Sequence, residues 1–242
     1  VSVAARFVAA SGQRLESAAA AVAVGETEYT WAGWVYLNEL SISRCYGARD
    51  PGGAGGWEVG FDGNWFATAY GPSGSGVVFT SGAPSPVNAW RHVCTWRTIS
   101  PDAISLQIDN GTVFTASLPG PVAAGSSPLH VGNVGSWGSR YWDGRIGPVG
   151  RWNRLLTDEE QGWLHNGGRG LPYEGLPPSL LTGLVAWWPL DEAGGIRRDV
   201  HGGNDLTPVN GPGWGLGHVG GADDGGADDA GASLLLQRML GD

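Results

Sequence analysis

The chain has 242 residues, a formal net charge of -9 and only 15% charged residues. That balance argues against nucleic acid as a partner, because phosphate binding needs a basic face. No apolar run is long enough to span a bilayer. Gly 43, Pro 15 and Trp 13 indicate short aromatic and β-branched strands punctuated by turns, an all-β chain.

The opening VSVAARFVAASGQRL is interrupted by Arg6 and lacks the continuous apolar core of a signal peptide. Val1 is consistent with a start codon other than ATG, in which case the chain reaches its site by assembly or lysis. WAGWVYL at 31–37 alternates with period two, Trp31, Gly33, Val35 and Leu37 on one face and Ala32, Trp34 and Tyr36 on the other. WEVGF at 57–61, NWFATAY at 64–70, GVVFT at 76–80, RHVCTW at 91–96 and AISLQID at 103–109 continue the pattern. Asp62-Gly63 and Asn110-Gly111 suit hairpin turns, since both pairs tolerate positive φ. The sum predicts an antiparallel β-sandwich.

A single helix is expected. Thr157-Asp158-Glu159-Glu160 reads as a capping box, with Trp163 and Leu164 facing the body and Gly167 as the left-handed C-terminal cap. A Pro-rich connector follows at 171–181, then the strand-like VAWWPLDE, stopped by Pro189, and a Gly-rich loop at 193–204. GGADDGGADDAGA at 220–232 is acidic and of low complexity, and SLLLQRML at 233–240 is a short apolar terminus. Cys45 and Cys94 both fall in predicted strands. Buried free thiols are the simpler reading and a disulfide the alternative, and no zinc spacing is present.

The residues resemble the LamG-like jelly roll of the concanavalin A-like lectin and glucanase superfamily. Thr30, Gly33 and Trp34, the stretch Trp90 to Trp96, and above all LHVGN…YWDGRIGPVGRWNRLLT between Leu129 and Thr157 carry the likeness. GLVAWWPLDE at 183–192 and DVHGGN at 199–204 resemble the family's first strand and following loop, yet here they come last. The resemblance implies a jelly-roll body over 1–170 and a segment at 182–219 that completes its own sandwich or a neighbour's, followed by a linker and tail at 220–242. Leu184, Val185, Trp187 and Leu190, with Leu234, Leu235, Leu236, Met239 and Leu240, are the expected assembly residues.

No strand carries the paired carboxylates of a glycoside hydrolase. Glu58 and Asp62 come nearest, but Asp62 belongs to a turn, and Asp158, Glu159 and Glu160 are accounted for by capping. His92 sits in a core strand as a structural histidine, and no nucleophile elbow or P-loop occurs. The chain is therefore expected not to be an enzyme and to need no cofactor. Calcium, which the resemblance raises, would fall to Asp191, Glu192, Asp199 and Asn204; bracing of a Gly-rich turn by Asp199 and Asn204 is the competing role. Trp57, Trp65, Tyr70, Trp137 and Tyr141 lie next to turns and are candidates for contact with a glycan or another subunit. The expected function is a surface or assembly module of virion type, a capsid decoration or tail component, found on a virion or outside the cell. Its partners would be its own copies or other structural subunits, as an oligomer or on a particle. The alternative is a carbohydrate-binding adhesin of a bacterium or phage.

Overall fold

The computed structural model describes residues 3–18, 27–50, 55–71, 74–85, 87–123, 126–134 and 140–217. In chain order the strands are β1 (Val3–Phe7), β2 (Arg14–Glu16), β3 (Tyr29–Leu37), β4 (Ser43–Arg49), β5 (Gly56–Asp62), β6 (Asn64–Gly71) and β7 (Gly74–Phe79). They continue as β8 (Arg91–Ile99), β9 (Asp102–Ile108), β10 (Val113–Ser117), β11 (His130–Val131) and β12 (Gly144–Trp152). Helices α1 (Asp158–His165) and α2 (Pro178–Leu181) then precede β13 (Leu184–Trp188), β14 (Thr207–Val209) and β15 (Gly213–Leu216).

Two antiparallel sheets face each other. The first runs β10-β9-β8-β3-β12-β1-β15, with β13 also paired to β12; the second runs β14-β2-β11-β4-β5-β6-β7. The fold is an all-β sandwich of jelly-roll type. Trp31, Val35 and Leu37 project from β3 into the space between the sheets, where they meet Tyr46, Trp57, Val59 and Trp65 from the second. The other face of β3 is buried as well. Ala32 lies under α1, α2 and the 171–176 connector with Trp152, Leu164, Leu180 and Trp187, while Trp34 and Tyr36 pack with Ala4 and Trp90. The alternation expected for 31–37 therefore holds, with both faces of the strand covered.

The Asp62-Gly63 turn is as expected: Asp62 pairs with Asn64 and Gly63 takes φ +70°. The β9–β10 hairpin differs by one residue. Asp109 and Asn110, not Asn110 and Gly111, carry positive φ; the Asp109 carboxylate accepts from His92 N–H and Arg91, which anchors the turn at that position. The capping box is complete, Thr157 Oγ1 accepting the Glu160 N–H at 3.2 Å and Glu160 Oε2 accepting the Thr157 N–H at 3.0 Å. Two details of α1 are corrected. Leu164 is buried but Trp163 is 38% exposed, because the buried face is set by Glu160, Gln161 and Leu164, and Trp163 is rotated away from it. The left-handed cap is Asn166, with Gly167 also at positive φ just beyond.

The displaced segment lies within the same chain's sheets. One edge of β12 is shared: β1 pairs along Gly144–Ile146 and β13 takes over along Val149–Trp152, both antiparallel to β12. After β13 the chain turns out at Leu190, φ +59° and fully buried, loops round, and returns as β14 on β2 and β15 on β1. Leu184 and Trp187 are buried and Val185 half-buried against this body. Leu234, Leu235, Leu236, Met239 and Leu240 lie outside the described residues.

Candidate functional site

The outward face of the second sheet carries a cleft of about 370 Å3. Strand parity builds it: Trp65, Ala67 and Ala69 of β6 point inward to the core, so Phe66, Thr68 and Tyr70 point out. On β5 the inward residues are Trp57, Val59 and Phe61, leaving Glu58 on the cleft side. A β-bulge between Arg44 and Tyr46 resets β4 so that both Arg44 and Arg49 line the same cleft.

The pairing registers arrange these side chains in three rows across the strands. Arg44 pairs with Gly60, Gly60 with Phe66, and Phe66 with Phe79. The middle row is Gly47, Glu58, Thr68 and Val77; the third is Arg49, Gly56, Tyr70 and Ser75. In the outer rows a glycine stands between arginine and aromatic. That gap lets each guanidinium reach across and lie on the next strand's ring, Arg44 at 4.1 Å from the Phe66 centroid and Arg49 at 4.2 Å from that of Tyr70. A Cβ on Gly60 would meet both Arg44 and Phe66 at 3.0 Å, and the Ser43 carbonyl at 2.3 Å. The glycine is thus a condition for the stack.

Both arginines converge on the middle row. Glu58 Oε1 is 3.4 Å from Arg44 Nε and 3.9 Å from Arg49 Nη1, and accepts a hydrogen bond from the Tyr70 hydroxyl at 2.7 Å. Arg44, Arg49 and Glu58 are all nearly inaccessible. Burial lowers the Arg44 pKa from its ordinary value, with Glu58 opposing and Arg140 adding to the effect. Burial likewise pushes the Tyr70 hydroxyl up, and the neighbouring Glu58 carboxylate pushes it further. Arg140, Asp62, Val77 and the 55% exposed Phe79 complete the lining. Glu58 and Asp62 stand four residues apart on one strand, roughly 13 Å between Cα positions.

Of the expected aromatic contacts among the described residues, only Tyr70 lines this cleft. Trp57 and Trp65 are 1% and 0% exposed; their rings form the inter-sheet core, Trp57 at 4.3 Å from Trp31 and Trp65 edge-on to Phe61. Proximity to a turn does not bring a side chain to the surface when its parity points inward, so both are withdrawn as contact residues. Tyr141 is half-buried against Gly12, away from the cleft, and Trp137 lies outside the described residues. Arg44, Arg49, Phe66 and Phe79 were not expected. The apolar odd positions of β5, against Glu58, Gly60 and Asp62 at even ones, already separate inward from outward.

The calcium candidates do not fit a metal. Asp199 Oδ1 accepts N–H groups of Trp187, His201 and Gly202, and Oδ2 accepts the backbone and side-chain N–H of Asn204, all between 2.9 and 3.0 Å. Glu192 accepts the Arg198 N–H and faces the buried Arg197, while Asp191 is exposed. Among the described residues no three His, Cys, Asp or Glu side chains gather as a metal site. Desolvation raises the Asp199 carboxyl, but the four backbone donors outweigh it and hold the group below its ordinary value. Asp199 and Asn204 act as the brace of the loop that returns β13 to the second sheet. His92 is buried against Trp34 and His165. Cys45 and Cys94 are free and belong to different apolar clusters.

A family model described as the concanavalin A-like lectin/glucanases superfamily matches residues 10–160, more than half of the chain. The chain belongs to this superfamily. No curated protein sequence matches the chain. Its superfamily fold is shared with a candidate carbohydrate-binding protein of Bacteroides ovatus, 15% identical with a TM-score of 0.59, over 91% of this chain. The chain spans 61% of the length of that protein. Domains LG4-5 of the mouse laminin alpha1 chain are similar at 12% identity and TM-score 0.49, covering 63% of this chain and 42% of theirs. At these identities the likeness concerns the fold alone.

Proposed function

We propose that the chain is a lectin-like module without catalytic activity that binds a glycan in the cleft over β4–β7. The observation that carries the reading is the three-row arrangement itself: a concave site whose floor is arginines stacked on rings and fixed by a carboxylate, with the half-buried Arg140 and the exposed Phe79 ring open to solvent above it. Membership of the lectin superfamily and the shared fold with a candidate carbohydrate binder support it. Glycoside hydrolysis is disfavoured because it needs one carboxyl free to act as acid and a second as base or nucleophile. Glu58 is tied to Tyr70 and two arginines, with Asp62 far along the strand. Screening the chain on a glycan array, then titrating hits by calorimetry, tests the proposal. Phe79→Ala should weaken a hit about tenfold without shifting the melting temperature. Retention of no glycan by the folded protein would refute it.

A second reading, a structural module of a virion or another assembly, is favoured by one observation. Leu40 and Ile42 are 67% and 48% exposed and line an apolar cleft with Phe61 at the Asp62-Gly63 end of the sandwich. Such a patch suits contact with another subunit. Native mass measurement of the chain and of Leu40→Asp tests it; a monomer at high concentration, indifferent to the substitution, counts against it.

A further inference from the structure

The cleft's charge is opposite to that of the chain. Among the described residues its lining holds three guanidiniums, Arg44, Arg49 and Arg140, against two carboxylates, Glu58 and Asp62, in a chain whose net charge is -9. At the floor two arginines share the single carboxylate of Glu58, and Arg44 Nε is buried without a hydrogen bond.

The aromatic rings tell the same story. Neutral sugars are held largely by stacking a pyranose face on an open aromatic face. Here one face of Phe66 and one of Tyr70 already carry a guanidinium, and among the described rings lining the cleft Phe79 alone is well exposed. A guanidinium lying flat on a ring keeps its N–H groups in its own plane, where they suit paired hydrogen bonds to a carboxylate or sulfate. We infer that the cleft selects an anionic glycan, one whose carboxylate or sulfate groups lie along the Arg44–Arg49–Arg140 side while an apolar sugar face rests on Phe79. This rests on the reading of the cleft as a glycan site and adds the class of ligand.

Calorimetry on the full chain should use four probes of matched length: oligogalacturonate for carboxylate, a carrageenan fragment, which has no uronate, for sulfate, and xylo- and manno-oligosaccharides as neutral sugars. At low salt an anionic probe should bind at least about tenfold more tightly than either neutral one. The advantage should shrink as salt rises from about 20 to about 300 mM. Arg140→Ala and Arg49→Gln should each remove about tenfold in anionic affinity, whereas Arg169→Ala, exposed outside the cleft lining, should not. If Arg49→Gln does not fold, Arg140→Ala carries the comparison. Preference for galacturonate or for the sulfated fragment identifies the acidic group, and either supports the inference. Equal, salt-insensitive affinity for a neutral probe overturns the charge selection and leaves the glycan reading standing. If no glycan of either kind is bound on the array or in solution, both are refuted.

Discussion

Replacing Trp188 by alanine asks whether the late segment is part of the sandwich's cooperative unit. Trp188 is fully buried. Its ring stacks on Trp31 of the central strand, 6.2 Å between centroids and 5° between planes, and its indole N–H donates to the Asn204 carbonyl at 2.8 Å. Truncating a buried aromatic to alanine costs about 3–5 kcal/mol, through lost contacts and the cavity left behind. The Asn204 carbonyl, part-buried, also loses its donor. For a domain of this size each kcal/mol moves the melting temperature by about 2–4 °C, so the expected fall is roughly 6–20 °C. Scanning calorimetry, with circular dichroism followed in parallel, should show one transition displaced as a whole. A melting temperature within about 2 °C of the parent, or a separate early transition followed by an unshifted main one, would refute the integration of β13 with β3 and β12.

The Asp199 carboxylate gives a pH signature. Its folded pKa is depressed below the unfolded value of 3.8, so its contribution is complete above that value and is lost as pH falls through the lower folded one. Asp199→Asn should flatten this acid limb in urea unfolding measured between about pH 2 and 6, and should lower stability at neutral pH by about 1–3 kcal/mol. Gly150→Ala would place a Cβ 2.6 Å from Trp152 and 2.7 Å from Trp187. A loss of about 1–3 kcal/mol is expected from this overpacking, read by thermal melting. Burial raises the Cys45 thiol to about 12 and lifts Cys94 further. Native protein should therefore give no signal with an aromatic disulfide reagent, and both thiols should react once the chain is unfolded in guanidinium.

Much of the architecture was legible because local chemistry and global fold agree there. Thr157 and Glu160 cap the helix wherever it packs, and Asp62-Gly63 closes its hairpin by backbone preference alone. The likeness of 183–192 to a first strand rests on its apolar residues, Leu184, Ala186, Trp187 and Trp188, which are buried beside β12. The cleft was less visible, since its rows exist only once the β4–β5–β6–β7 register is set. Arg44 and Phe66 are 22 residues apart in sequence and meet because Gly60 separates them in space. Trp57 and Trp65 stand beside turns, but their place in the alternation of β5 and β6 points both rings into the core. Trp163 and the turn at Asp109-Asn110 show the same limit, as tertiary contacts choose among positions that local preference leaves nearly equal.

Val3 pairs with Leu216 across the β1–β15 ladder, which sets their Cα atoms about 4.5–5.5 Å apart. Polypeptide continuing beyond either residue leaves from a single spot. That spot belongs to the β14–β15 border of the sandwich, whereas Phe79 stands on β7, beside β10 at the other border. Mounted through these two neighbouring exits, in a loop of a host chain or on a stalk, the module would present its arginine-lined face from the side remote from its tether.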